Sequence, residues 1–368
     1  MKILYIYDKA PDTYSNYLVV LLRNLQKKLN IKVLTYGDNL QGDYNVKTYG
    51  LLDKFQRALF NASLSKYKSL DLKIMNQFDI VHIQLSYLRS KIIPLLDQKT
   101  RPKIVVTLRG GDTYLKPWAS ENWRNFYKES ENNIDAFITM SEHQKNYLKK
   151  WGVNERKIHV IPISFGNYSN AQPKYPNQNT LKLVSAFRMT WEKNIEGSMR
   201  YAKSLKEKGI NFMYDIYGDG NDIGQLYFLI DKFDLGSNVN VKGKVDNYIL
   251  KEKLIEYDFF VQLSISEALP ASILEAQSKG IPCIISNSGG LPEAVIPNES
   301  AIVGDYNQTE YFVEESLRIW QNKDLYFSFS DKAIRNVNEN FSIEKETERL
   351  IKLYHNLDYD AQSSLIIN

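Results

Sequence analysis

The 368-residue sequence has one cysteine, Cys283. That excludes a disulfide framework and a cysteine-based zinc site within the chain, and makes a reducing, cytoplasmic setting the simplest expectation. Histidine is nearly as scarce: His82, His143, His159 and His355 show no metal-ligand spacing. No apolar run approaches the ~18 residues of a membrane span. The apolar opening after Met1 meets Asp8 before a signal peptide's apolar segment could be completed. The chain is therefore expected to be soluble or peripheral, at most at the inner face of a cell membrane. It has no phosphate loop ending in Gly-Lys-Ser/Thr and no G-x-G-x-x-G opening a helix, which argues against nicotinamide chemistry. The ordered Ser-His-Asp or Cys-His contexts of hydrolases are missing too, and nothing points to a nucleic-acid partner. Asp358-Tyr359-Asp360 has metal-binding form but falls in a tail, 358–368, expected to fray.

What the chain does have is an ordinary globular balance, 43% hydrophobic and 24% charged, and a length suited to two domains. Its net charge of +4 is unevenly spread: residues 1–170 carry +11 and the remainder −7. Short Ile/Val-rich runs, Ile3–Tyr7, Ile31–Thr35, Ile80–Gln84, Ile104–Leu108, Ala136–Met140 and Val160–Ile163, alternate with segments long enough for crossover helices, such as Leu18–Leu29. That pattern predicts a parallel, doubly wound α/β sheet. Residues 166–180 are polar, contain two prolines and read as a linker. A second set of buried runs then begins at Leu181. The expected plan is a domain over 1–165, the linker, a second domain over 181–342, and a helix over 343–357 that crosses back. Such a pair of sheets would bind ligands at the carboxyl ends of their strands. The segment 54–73, with five Lys or Arg among apolar residues, reads either as a helix on an anionic membrane surface or as a solvated helix packed on the sheet.

The densest chemistry lies in residues 264–295. Glu267 follows the strand Phe259–Leu263, and Glu275 lies eight residues on, within a helix that Pro270 could open. Such carboxylates can accept hydrogen bonds from the vicinal hydroxyls of sugars; alone, two glutamates at this spacing could equally be solvated. Ser288-Gly289-Gly290 forms a tight turn after the next strand, and Gly218-Asp219-Gly220 ends another. The run Glu267, Leu269, Pro270, Ser272, Leu274, Glu275, Ala276, Gly280, Pro282, Gly289, Gly290 and Glu293 resembles, in order, the motif of retaining family 4 glycosyltransferases of GT-B architecture. The resemblance implies two Rossmann-like domains facing each other across a cleft. It also implies transfer of a sugar from a UDP- or GDP-sugar to a glycan or polyprenyl-linked glycan acceptor in bacterial capsule, O-antigen or exopolysaccharide synthesis. No metal or other cofactor is expected.

Carried over residue by residue, Arg188 and Lys193 match the element that holds the donor diphosphate, where fixed cations stabilise the charge gained by the leaving group. Glu275 would hold the ribose, Glu267 the sugar, and the backbone around Ala268, Leu269 and Pro270 the sugar or phosphate. Val245 would face the base edge. Gly218 and Gly220 either allow close approach or only form a tight turn. In the front half, Thr107-Leu108-Arg109-Gly110-Gly111-Asp112 is similar to the family's H-G-x-D element near the donor sugar, with Arg109 at the His position. That guanidinium could meet a phosphate, a hydroxyl or a uronic-acid carboxylate, or lock to Asp112. Ser15 and Asn16 stand where relatives have a Gly-Gly turn, and could offer side-chain donors instead; His82 reads as a histidine packed nearby. A nucleotide-sugar epimerase on the same fold and a catalytically silent nucleotide-binding scaffold are the alternatives.

Overall fold

The structure, a computed structural model, describes residues 1–9, 11, 16–37, 42–46, 55, 59, 70–96, 98–166, 168–177 and 179–366. It divides into two compact units, Met1–Ile161 with Glu346–Asn368, and Pro162–Lys345.

The first unit is built on seven parallel strands: β1 (Lys2–Tyr7), β2 (Asn30–Thr35), β3 (Tyr44–Asn45), β4 (Ile80–Ile83), β5 (Lys103–Thr107), β6 (Ala136–Thr139) and β7 (Ile158–Val160). They lie in the order β3-β2-β1-β4-β5-β6-β7. One face carries Leu4, Ile6, Val81, Ile83, Ile104 and Val106 into an apolar core. On β1 the alternate positions, Tyr5 and Tyr7, are buried as well. This burial of both faces is why the strands read as continuous apolar runs instead of alternating ones.

The second unit repeats the plan with β8 (Leu181–Ala186), β9 (Phe212–Tyr217), β10 (Val239–Gly243), β11 (Phe259–Gln262), β12 (Cys283–Ser286) and β13 (Ala301–Gly304). Their order is β10-β9-β8-β11-β12-β13. In both sheets the winding reverses beside the first strand, between β1 and β4 and between β8 and β11. At such a switch point the loops leave the strand ends in opposite directions and open a crevice at the carboxyl edge. Leu183, Ile216, Phe259, Val261, Ile284 and Ile302 form the core beneath it.

Several expectations need correcting. The last strand of the first unit is Ile158–Val160, not 160–163, because Pro162 offers no amide to a ladder. The two-residue β3 was not anticipated. The segment read as a linker packs on the second unit: the Ser169 amide donates to Asn338 Oδ1 at 2.8 Å, and the Lys174 ammonium to the Tyr257 carbonyl at 2.6 Å. Pro270 is the N-cap of the helix Ala271–Gln277, not its first residue. The terminal helix runs Ile343–Ile366, through most of the stretch expected to fray. Most of the basic segment 54–73 lies outside the described residues.

Candidate functional site

The loops after β8 and β11 meet at the second unit's switch point. After β8, a short turn, Trp191–Lys193, leads to Asn194, which adopts a left-handed φ of 52° and caps the helix Ile195–Glu207 by accepting from the Gly197 amide. The same Asn194 side chain donates to the Leu263 carbonyl at 2.9 Å, and the Ile265 amide to the Glu192 carbonyl at 2.8 Å. These bonds fasten the two loops together. They hold the Lys193 ammonium in an ion pair and hydrogen bond with Glu267. The carboxylate also accepts from Gln262 Nε2 at 2.6 Å and from the Ser264 hydroxyl at 3.1 Å. Ser272 in turn donates to Gln262 Oε1 at 3.1 Å, fixing that amide's orientation. The Lys193 and Glu267 side chains are only 14% and 12% exposed. Gln262 and Ser264 did not stand out in the sequence; a polar residue closing the apolar run of β11 was the available signal.

Glycines set the backbone around this pair, and here a reading changes. A Cβ on Gly289 would lie 2.1 Å from the Glu267 carbonyl oxygen, and Gly289 has φ of +59°. The Gly290 amide donates to that carbonyl at 2.9 Å. A Cβ on Gly218 would lie 1.9 Å from the Phe187 carbonyl oxygen, and one on Gly220 would lie 2.2 Å from that of Met189. What approaches these glycines closely is the chain itself, namely the loop carrying Glu267 and the loop leading to Arg188 and Lys193.

Glu267 precedes the helix Ala271–Gln277, so it shares no helix face with Glu275. Glu275 is buried within that helix. Its carboxylate accepts from Asn247 Nδ2 at 3.1 and 3.2 Å and pairs with Lys251 at 3.1 Å. Both partners come from the helix Asn247–Lys253, which Asp246 caps immediately after the half-buried Val245. Arg188 is exposed and, among the described residues, reaches only Glu192, at 3.5 Å. Ala268 and Leu269 are buried, and Pro270 partly so. Among the described residues no three His, Cys, Asp or Glu side chains stand together as metal ligands, and no helix is long and apolar enough to cross a membrane.

In the first unit Gly110, at φ of +117°, turns the chain out of β5. Asp112 clamps that turn: its buried carboxylate accepts from the Ser86 hydroxyl, the Arg109 amide at 3.0 Å and the Gly110 amide at 2.9 Å. Burial pushes its carboxyl up, against the pull of these bonds. Asp112 is thus bonded to its own turn and does not present a carboxylate to a donor sugar. Nor does the Arg109 side chain lock to it; the guanidinium reaches Gln84 Oε1 at 3.2 Å and Met140 Sδ at 3.5 Å. Ser15 lies outside the described residues, and Asn16 opens the helix Asn16–Gln26.

His82 on β4 is buried and bonded on both ring nitrogens, to the Tyr354 hydroxyl and to Thr107 Oγ1, each at 2.7 Å. Tyr354, from the terminal helix, also bonds the Tyr5 hydroxyl. Burial, and then the Arg109 charge, lowers the imidazole pKa from 6.5 to about 3. The unfolded chain takes up this proton near pH 6.5 but the folded one only near 3, so between the two the unfolded state binds more protons and acidification destabilises the fold. Between pH 7 and pH 5, His82→Leu should lose about 2 kcal/mol less stability than the native protein. Urea titrations at both pH values would show it; equal losses would mean that His82 does not titrate in this way.

The comparisons with known proteins match the two-unit fold. Residues 168–336 match the family model for glycosyl transferases group 1, and residues 15–163 that for glycosyltransferase family 4. A putative colanic acid biosynthesis glycosyltransferase, WcaL of Escherichia coli K12, is 27% identical over 47% of this chain and 45% of its own length. The amylovoran biosynthesis glycosyltransferase AmsK of Erwinia amylovora is 23% identical over 74% of this chain and 70% of its own. The chain spans about half the length of the first of these curated relatives. Among solved structures, a Staphylococcus aureus TarM mutant in complex with fondaparinux, alpha-GlcNAc-glycerol and UDP superposes with a TM-score of 0.76 at 14% identity, covering 96% of this chain and all of that one. Two α/β units, a seven-stranded sheet wound 3-2-1-4-5-6-7 and a six-stranded one wound 3-2-1-4-5-6, matched nearly end to end by the two family models, make this chain a member of glycosyltransferase family 4, with the GT-B fold.

Proposed function

We propose that the chain is a retaining glycosyltransferase that moves a sugar from a UDP- or GDP-sugar to a glycan or lipid-linked glycan acceptor in bacterial surface-polysaccharide synthesis, on the cytoplasmic side of the membrane. The observation that carries this reading is the Lys193–Glu267 pair, held at the β8/β11 switch point by Gln262 and Ser264. A low-exposure ammonium beside a carboxylate suits the two charge demands of the reaction. Lys193, with Arg188 as a second cation, stabilises the diphosphate as it leaves. Glu267 accepts from sugar hydroxyls, and Glu275 from those of the ribose. The Glu267 carboxylate is engaged by Lys193, Gln262 and Ser264 and is not free as the nucleophile of a double displacement, so the acceptor hydroxyl attacks on the face the diphosphate departs from and its proton passes to the leaving phosphate oxygen. The names of WcaL and AmsK support a polysaccharide product.

The test is a panel of nucleotide sugars scored for nucleotide release with and without EDTA. Release from donors of one base, unaltered by EDTA and stimulated by an acceptor, is the expected result. Conversion of the donor without release would make the chain an epimerase. Nucleotide binding without either reaction would make it a scaffold.

A further inference from the structure

The strap that begins at Tyr168 lies wholly within the unit Pro162–Lys345. The Ser169 hydroxyl donates to the Ser278 carbonyl, and the Lys174 ammonium to the carbonyls of Ile255, at 2.9 Å, and Tyr257, at 2.6 Å. The Lys174 amide donates to Ser330 Oγ at 2.9 Å, and that hydroxyl to the Gly280 carbonyl at 2.7 Å. These carbonyls belong to the turns that enter β11 and β12, whereas Lys193 and Glu267 stand on the loops that leave β8 and β11. The strap is therefore at the opposite edge of the sheet from the catalytic pair.

Between the strap and the helix Lys323–Asn340 runs a groove of about 410 Å³, within the range of about 300–1,000 Å³ found for small-ligand sites. On that helix Phe327, Asp331, Ile334, Arg335 and Asn338 share one face, about 16 Å from the first to the last. The Ser169 amide bonds Asn338, next to Tyr168, while Tyr175 packs against Phe327 with ring centres 5.0 Å apart. The two tyrosines, 64% and 56% exposed, thus stand near opposite ends of this face. Between them lie the Asp331–Arg335 pair, at 2.8 Å, and the exposed amides of Asn170 and Gln172. A single exposed ring needs no explanation. Two rings held out by a strap pinned at Ser169 and Lys174, with hydrogen-bonding groups between them, make a preorganised surface.

We propose that this groove binds a neutral oligosaccharide segment of the glycan acceptor, as a second glycan site apart from the catalytic one. The choice of glycan rests on the surface-polysaccharide reading. A pyranose offers an apolar C–H face that an aromatic ring covers, and hydroxyls at its rim that pair with amide, carboxylate and guanidinium groups. The lining is mainly polar, which gives a lipid chain little to bury against, and Asp331 and Glu339 outnumber Arg335, which disfavours a phosphate or a uronic-acid polymer. An acceptor held here raises the local concentration of its reacting end.

The experiment is calorimetric titration with cellopentaose, maltopentaose, mannopentaose and chitopentaose, and with hyaluronan hexasaccharide as the acidic comparison. It uses native protein, Tyr168→Ala, Tyr175→Ala, Tyr168→Phe and Lys193→Ala. The expected result is saturable binding of at least one neutral pentasaccharide, at least tenfold tighter than hyaluronan. That binding weakens at least fivefold in each of the two tyrosine-to-alanine variants and stays within twofold of native in Tyr168→Phe, which keeps the ring, and in Lys193→Ala. The tyrosine-to-alanine variants melt where native protein does and, with no oligosaccharide added, release nucleotide from a donor at the native rate. Binding by none of the four, tighter binding of hyaluronan, or an affinity that either tyrosine-to-alanine variant leaves unchanged overturns the groove. So does binding lost in Lys193→Ala, which would place the glycan at the catalytic edge. Nucleotide release without pentasaccharide binding leaves the glycosyltransferase reading standing. Pentasaccharide binding governed by the two tyrosines, with no nucleotide sugar bound or turned over, leaves the groove and overturns that reading.

Discussion

Lys193→Ala should lower kcat/KM for nucleotide-sugar turnover by about a thousandfold, and Glu267→Gln by about a hundredfold, each within the range seen when one preorganised charge is removed from a transition state. The two substitutions fail differently. Removing the ammonium leaves the Glu267 carboxylate, 12% exposed, without its cation, and breaking such a pair costs about 3–5 kcal/mol of stability when fully buried and less here. Glu267→Gln keeps the shape and a carbonyl able to accept from Gln262 and Ser264, so its loss should fall on kcat with little change in melting temperature. Because the groups touch, their effects should not add: Lys193→Ala with Glu267→Gln together should lose little more than Lys193→Ala alone. Nucleotide release and thermal melting on the three variants decide it. Turnover within threefold of native in both single variants would remove the pair from the reaction.

Gly289→Ala is the second severe change, although Gly289 bears no reacting group. A methyl 2.1 Å from the Glu267 carbonyl oxygen, at φ of +59°, is about an ångström inside any tolerable contact, and a left-handed alanine is strained besides. One backbone must give way, and the one that moves carries Glu267. Its carboxylate is held by donors at 2.6 and 3.1 Å, a geometry that tolerates about half an ångström. Turnover should fall about a hundredfold, with a stability loss of about 1–3 kcal/mol. Comparing kcat with urea stability tests this: full activity in a destabilised variant would show that the turn is structural and that Glu267's position is not critical.

The strands of both sheets were legible because parallel strands buried on both faces must be short, apolar and β-branched, as in β5 and β12. β3 was not, since two residues, Tyr44 and Asn45, carry no period. The segment 166–180 misled because a strap satisfied by side-chain bonds needs the same polar residues as a solvated linker; Ser169 and Lys174 look alike in either role. At the site, Lys193, Glu267 and Glu275 could be named from spacing and resemblance, but their partners could not. Lys251 and Asn247 reach Glu275 from a helix more than twenty residues upstream, and no local pattern announces such a meeting. At Gly218, Gly220 and Gly289 the sequence shows that a backbone is approached but not by what, and the structure brings the chain's own loops there.

The terminal helix that delivers Tyr354 to Tyr5 and His82 also sets the order in which the protein is completed on the ribosome. The strands of the first unit are synthesised first, yet their buried tyrosine–histidine network closes only when residues 346–366 emerge. Pro162–Lys345 is contiguous and can finish ahead of it. The unit made first is therefore the last to be completed, and the emergence of residues 346–366 is the event that completes it.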